Sequence, residues 1–530
     1  VDMRGYSERA DQHLGRVTVL EDSDRDGRFD RATIFADQFR WPSAVACAFG
    51  GVLVGDAPDI IYLRDTDHDG KADVREVLFT GFGTSNVQQL PNNFQWGIDN
   101  RIYGASGGNG GHLHRAEISP GTLPDNIHRG ANTQIDLSGR DFAINPADLS
   151  LVSNAGGSQF GMTFDRFGTR FVCSNSTHCQ QVILEERYAA RNDRQPITRS
   201  CVIIAADGPA AEVFRTSPVE PWRKVRTRLR VQGLVSGPIE GGGRAAGYFT
   251  SATGIICYDG DLLPACYFGN LFFGDVGSNL VHRKKLVGGG IQRSAIRTEP
   301  DSEFLRSTDN WFRPVQLANA PDGSLLVLDM YRETIEHPAS LPPIIKKHLD
   351  LNSGNNRGRL YRIVPTGHVA RRRLLPGNAS PEQLVRMLAH PNGWHQRTAS
   401  RLLFEKFWSS KESASIARML RGRDTIGLRS PIAEARIRSM YLLSHLDRVR
   451  TPELISLLGD PHPQVRIHAL RLAEKQVDHE LEQQILKMTT DANVQVRFQT
   501  ALTLGELDAE NCHAIADLAI SDGSNRWMQT

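Results

Sequence analysis

One pattern recurs five times between residues 41 and 335. An apolar run meets a Gly/Asp turn, a second run ends in a small or acidic residue, and a third run follows. The units are "WPSAVACAFGGVLVGDAPDIIYLRD" (41–65), "FQWGIDNRIYGASGGNGGHLHRAE" (94–117), "FGMTFDRFGTRFVCSNSTHCQQVILEE" (160–186), "TGIICYDGDLLPACYFGNLFFGDVGSNLVHRKKL" (253–286) and "FRPVQLANAPDGSLLVLDMYRETI" (312–335). Short apolar runs broken by Gly, Asp and Asn are strands. Strand units repeated at roughly 40 residues or more build a β-propeller rather than a single sandwich. Strands at 16–20 and 32–35 read as the outer half of one more unit, so the expectation is an all-β propeller of six blades over residues 1–365.

The periodicity changes after a Gly/Pro/Arg-rich linker at 366–379. From 380 to 530 the apolar spacing is helical, as in "RIHALRLAEKQ" and "VRFQTALTLGEL". Arg436, Arg466 and Arg497 open successive helices 30 and 31 residues apart, and Arg397 opens an earlier one. Asp-Pro before a helix that continues Val-Arg resembles HEAT repeats, whose paired helices stack into a solenoid. These arginines are expected to brace neighbouring turns rather than bind a ligand. The last residues, "SNRWMQT", show no evident polar capping repeat, and "VDMRGYSERADQ" is neither an initiator Met nor a signal peptide. The expectation is therefore a fragment of a longer protein.

Two loops carry acidic residues at the spacing of a calcium-binding loop. "DTDHDGKADVRE" (65–76) places Asp65, Asp67, Asp69, Asp73 and Glu76 at positions 1, 3, 5, 9 and 12, with Gly at 6. "DSDRDGRFDRAT" (22–33), 43 residues earlier, offers Asp22, Asp24, Asp26 and Asp30 but ends in Thr33, a poorer ligand. Each follows a third strand and precedes a fourth, with no flanking helix pair to move. The reading is a structural Ca²⁺ staple on the back of a blade, with a metal-free Asp/Gly turn as the alternative.

The opposite face should gather the residues that begin first strands and follow second strands. On this placement Gln95, Trp96, Asn109, Asn175, Asp275, Trp311, Arg313 and Tyr331 form a polar ring that binds a ligand or cofactor. The segment "LDMYRETIEHP" supplies Asp329, Arg332 and His337. With His178 these are candidate catalytic groups: His337 or His178 as base, Arg332 and Arg313 as anion clamps, Asp329 as orienting group. Sixty-two Lys and Arg against 60 Asp and Glu leave a net charge of +2, which points to neither nucleic acid nor a membrane surface. No run of 18 apolar residues occurs. Of seven cysteines, Cys173 with Cys179 and Cys257 with Cys266 are close enough in sequence to bridge locally, or to remain buried thiols. No C-x-x-C-H, G-x-S-x-G, H-E-x-x-H or Walker motif is present.

The ordered series "VTVLEDSDRDGRFDRATIFAD", "DIIYLRDTDHDGKADVREVLFTGFGTSNVQ", "FQWGIDNRIYGASGGNGG", "STDNWFRPVQLANAPDGSLLVLDMYRETIEHP" and "GRLYRIVP" resembles the membrane-bound dehydrogenase family of planctomycetes and verrucomicrobia, the PVC-type haem-binding proteins. The resemblance covers about residues 1–365. It implies a periplasmic or secreted protein, possessing a propeller related to quinoprotein sugar dehydrogenases, HEAT repeats and a downstream cytochrome c domain. This sequence ends before any haem-attachment motif, so haem c belongs to that missing domain alone. Two functions follow: an oxidoreductase acting on a sugar or alcohol with pyrroloquinoline quinone, or a non-catalytic scaffold that binds carbohydrate or protein. On either reading the partners are a small polar molecule such as a sugar and a protein on the helical surface.

Overall fold

The computed structural model describes residues 13–529, apart from 25, 124–126, 128–129, 132, 192–199, 369–375, 408–410, 423–424, 447 and 508–510. The centre of the expected linker therefore lies outside the described residues.

The chain opens on a hairpin of β1 (Gly15–Glu21) and β2 (Arg31–Phe39). The first blade runs β3 (Pro42–Ala48), β4 (Gly51–Asp56), β5 (Asp59–Arg64) and β6 (Val74–Phe82). The second has β7 (Asn92–Trp96) and β8 (Ile102–Ala105). The chain then leaves to add β9 (Gly111–Arg115) and β10 (Ile135–Asp136) outside β6, and returns for β11 (Arg140–Ile144) and β12 (Leu151–Ala155). The third blade is β13 (Met162–Phe164), β14 (Arg170–Val172), β15 (Gln180–Val182) and β16 (Cys201–Ile203), with the short helix α1 (Glu186–Ala189) before β16. Helix α2 (Pro221–Val231) is inserted before the fourth blade. That blade has β17 (Ala252–Cys257), β18 (Leu271–Asp275), β19 (Leu280–Val287) and β20 (Ser294–Arg297), with β21 (Leu305–Arg306) on β19. The fifth contains β22 (Pro314–Asn319), β23 (Leu325–Asp329) and, after α3 (Pro343–Lys346), β24 (Arg359–Ile363).

Each blade is antiparallel and zigzags from its first strand outward. Middle strands are covered on both faces by neighbouring blades, so they read as continuous apolar runs rather than alternating ones. Strand β18, "LFFGD", is buried throughout. Phe142 joins two blades, with ring centroids 5.4 Å from Phe82 and 5.9 Å from Phe94.

Five blades stand among the described residues, which corrects the expected six. The β1–β2 hairpin pairs only with itself among the described residues. Its β1 strand lines the same cavity as β3 and β23–β24, so it stands between the first and last blades without two inner strands of its own. Among the described residues no further strands complete this hairpin into a sixth blade.

The helical part contains α4 (Pro381–Met387), α5 (Gly393–Phe407), α6 (Ser413–Arg421), α7 (Ala433–His445) and α8 (Thr451–Leu458). It continues with α9 (Pro463–Ala473), α10 (His479–Lys487), α11 (Val494–Leu504) and α12 (Cys512–Ser521). Its arginines form a ladder. Arg436 donates to the Ser430 carbonyl at 2.6 Å and to Asp460 at 2.8 Å. Arg466 repeats this with the Asp460 carbonyl and Asp491, and Arg497 with the Asp491 carbonyl and Asp522.

Arg397 breaks the series by reaching into the propeller, where it pairs with Asp259. It belongs to an interface that touches all five blades at the turn between first and second strands. The Phe49 amide donates to Glu405 at 2.8 Å, Trp96 meets Phe404 edge-on at 5.8 Å, and Ser400 donates to Asn100 at 2.9 Å. His468 bonds the Phe167 carbonyl at 2.9 Å, and Asn392 donates to the Ala320 carbonyl at 3.0 Å. The helices thus cover one whole face of the propeller.

Candidate functional site

Between the blades lies a cavity of about 1370 Å³. Its walls are inner-strand residues such as Asn92, Asn93, Gln95, Thr253, Gln316 and Asn319. Amide side chains bridge blades across it, with Gln316 donating to Asn93 at 2.7 Å and Asn92 to the Gln159 carbonyl at 3.0 Å. At the uncovered face the mouth is formed by Gln88, Asn175, Asp329 and Glu336, together with Arg226 and Arg230 of α2. At the other end the floor is Trp394, Arg397, Thr398 and Arg401 of α5 and Arg438 of α7. A propeller channel capped by helices is a pocket of mixed polar and apolar lining.

Of the expected ligand-binding residues, Gln95, Trp96 and Asn175 line this cavity, and of the expected catalytic ones Asp329 does. Their placement differs from expectation in one respect. Gln95 and Trp96 end the first strand of their blade instead of beginning it. Trp96 therefore faces the helical side, donating to the Cys47 carbonyl at 2.9 Å and packing on Phe404.

The other expected residues are absent from the cavity wall among the described residues. Arg313 is 0 % exposed and committed internally. It donates to Glu220 at 3.0 Å and to the carbonyls of Val276, Arg332 and Glu333, so it holds three chain segments together and is not an anion clamp. Arg332 is buried beside it, and its amide donates to the Trp311 carbonyl at 3.1 Å. Trp311 packs on Tyr331 at 5.6 Å, and the Tyr331 ring carries the Arg359 guanidinium at 3.6 Å. Asp275 is fully buried and accepts the amides of Gly277 and Ser278 at 2.9 and 3.0 Å; burial pushes its carboxyl up to about 6. Asn109 pins the preceding loop by bonding Ser85 and Asn86. His337 is buried, and that burial lowers its pKa.

His178 is also corrected. It is 0 % exposed and stacked on Phe249 at 4.1 Å, and it does not line the cavity. With Asp207 and His282 it brings three potential ligand atoms within 4.8 Å of one another. Burial holds both imidazoles neutral, as metal ligands must be. However, the Lys284 ammonium donates to both Asp207 oxygens at 2.7 Å. That ammonium already neutralises the carboxylate and would repel a metal cation, so the trio is a polar cluster of two buried imidazoles and an ion-paired, exposed carboxylate.

The acidic loops sit side by side on the β1–β2 and β5–β6 hairpins, where the Ala72 amide donates to the Phe35 carbonyl at 2.8 Å. Carboxylates of Asp65, Asp67 and Asp73 lie within 4.8 Å of one another, as do those of Asp22, Asp24 and Asp26. Asp69 caps the Lys71 amide at 2.7 Å, and Asp30 is taken by Ser23. Glu76, the expected twelfth-position ligand, instead accepts from Ser119 at 2.8 and 3.1 Å. All seven cysteines are unbridged, so neither local disulfide forms.

The expected residues Asn175 and Asp329 do reach the mouth, whereas Arg226 and Arg230 and the whole floor were not among those expected. The mouth arginines had a signal in "PWRKVRTRLRV", which sets Arg223, Arg226 and Arg230 three and four residues apart on one helical face. Arg226 pairs with Glu336 at 3.1 Å, whereas Arg230 has no carboxylate partner among the described residues. The floor had no local signal, because it exists only where helices meet the propeller.

Fold and site together define, among the described residues, a five-bladed β-propeller whose channel is capped by helices. The chain belongs to the family described as "Domain of unknown function (DUF7133)", whose model matches residues 1–367. No curated protein matches it. Two solved structures are similar at low level. One, "glucose dehydrogenase", is 15 % identical, covering 54 % of this chain and 92 % of that one at a TM-score of 0.27. The other, "Crystal structure of glucose dehydrogenase", is 15 % identical, with coverages of 59 % and 96 % and a TM-score of 0.28.

Proposed function

We propose that the channel binds a sugar or related alcohol and that the protein is an oxidoreductase of quinoprotein type. The observation carrying this reading is Asp329. Its Oδ1 accepts the Arg313 and Tyr331 amides at 2.8 Å each, which fixes the carboxylate. Its Oδ2 is buried without a hydrogen-bond partner among the described residues, and the side chain lines the cavity. Burial raises its pKa, moving the group toward the range in which a carboxylate is an effective general base. Asp329 replaces the histidines as the group that would take the hydroxyl proton of a substrate.

Pyrroloquinoline quinone carries carboxylates, and the mouth offers Arg226 and Arg230 to hold them. When bound, such a quinone supplies a hydride acceptor. Calcium would staple the acidic hairpins. The helical part is proposed to be a HEAT-like solenoid offering a surface to a protein partner, and a periplasmic or secreted location, upstream of a haem c domain, is proposed on the family resemblance alone. A second reading, a carbohydrate-binding scaffold without turnover, is favoured by one fact: both imidazoles expected as bases are outside the channel.

Reconstitution of the purified chain with calcium and pyrroloquinoline quinone, assayed by dye reduction over a panel of sugars, separates the two. Quinone-dependent reduction is expected, with Asp329→Asn lowering kcat by about 10² or more. Sugar binding without reduction supports the scaffold. No quinone binding and no reduction, with Asp329→Asn indistinguishable from the parent, sinks the redox reading.

A further inference from the structure

The charges around the floor of the channel pair almost completely. Arg397 is bound by Asp259, Arg401 lies 3.3 Å from Glu405, and Arg293 lies 3.5 Å from Asp165. Arg166, just behind the floor, is held by Glu434 at 2.5 Å. Arg438 is the exception. It is 4 % exposed, contributes to the cavity wall, and makes no hydrogen bond or ion pair among the described residues. Its Nε is buried without a partner. Burial and the neighbouring Arg397 push its pKa down to about 9, against the opposing pull of the Asp259 and Glu434 carboxylates. A guanidinium nevertheless keeps its proton in proteins. A buried charge without an ion-pair partner is costly, and a fork of N–H donors on a cavity wall is matched by an oxyanion.

We propose that the floor of the channel is an anion site, in which Arg438 binds the oxyanion group of a small ligand. Thr398 adds a hydroxyl to the same wall and Trp394 an indole, so the site suits a carboxylate or tetrahedral oxyanion at one end of a polar molecule. The source of that group is either a free inorganic anion or the acid group of a sugar acid. The site is built by α5 and α7 against the propeller and does not depend on any redox step at Asp329.

Isothermal titration of the full chain with sodium sulfate, sodium glucuronate and glucose at fixed ionic strength tests it. Binding of sulfate or glucuronate at one site per chain is expected, weakened at least tenfold in Arg438→Met, while glucose binding changes less than twofold. Similar affinities for the two anions assign a free oxyanion, whereas glucuronate binding tighter than sulfate assigns a sugar acid. Arg438→Met removes a buried cation without an ion-pair partner and is expected to fold. Arg438→Lys provides the check, keeping the charge but losing the fork, with intermediate affinity and an unchanged circular-dichroism spectrum. Absence of anion binding in the parent, or equal binding by the parent and Arg438→Met, overturns the proposal. A dehydrogenase assay that fails leaves this result standing, so the two proposals fail separately.

Discussion

At the scale of single residues, burial decided which polar side chains serve the cavity and which serve the fold. Arg313 and Asp275 have the chemistry of ligand-binding groups, yet both are 0 % exposed and spend their hydrogen-bonding capacity on backbone and internal partners. A sequence shows residue type and spacing but not desolvation, so Asp275 was indistinguishable from Asp329, which shares its type and does line the channel. Asp275 yields a pH prediction. Its folded pKa is raised from 3.8 to about 6, burial being the largest cause. Between those values the folded chain holds more protons than the unfolded one, so this group adds stability as pH falls. From pH 7.5 to pH 5 the gain is about 1.4 kcal/mol. Urea unfolding of the parent and Asp275→Asn at both pH values should show a stability gain larger in the parent by that amount. Equal pH dependence in both would refute the assignment.

At the scale of elements, the repeats were the legible part. Strand units in the first half, and arginines 30 and 31 residues apart in the second, state which segments are equivalent. Equivalence forces similar packing, and the Arg436, Arg466 and Arg497 rungs indeed each hold an aspartate and a carbonyl of the adjoining turns. Direction within an element was less legible, because a five-residue strand shifted by three residues exchanges one face of the propeller for the other. That is why Trp96 moved from the mouth to the helix-covered side. The acidic hairpins show the same limit. Spacing correctly grouped Asp65, Asp67 and Asp73, but β6 carries Glu76 away to Ser119. If calcium staples this hairpin, titration calorimetry of the full chain should show binding heat that falls in Asp67→Ala and persists in Glu76→Ala. A trace unchanged by Asp67→Ala would remove this hairpin as a calcium site.

At the scale of the whole molecule, the channel is a property of neither half. Its walls come from the propeller and its floor from α5 and α7, so floor geometry depends on how closely the halves approach. Gly393 sets that distance. Its amide donates to the Asp259 carbonyl at 2.9 Å, and a Cβ on it would lie 1.9 Å from Asp259 Oδ2 and 2.3 Å from Cγ. Asp259 has little freedom to withdraw, because it is 3 % exposed and clamped by Arg397. Even one methyl group therefore pushes the first turn of α5 off the fourth blade. Overpacking of this kind costs on the order of 1–3 kcal/mol. The consequence expected of Gly393→Ala is local to the junction: both halves keep their own cores, but their unfolding uncouples. Calorimetry should resolve two transitions where the parent shows one, and limited proteolysis should cut faster between residues 366 and 380. Anion affinity at Arg438 should fall in the same variant, since its floor is displaced. A Gly393→Ala chain with a single parental transition and parental anion binding would mean that the halves tolerate separation, and that the floor is set by something other than this contact.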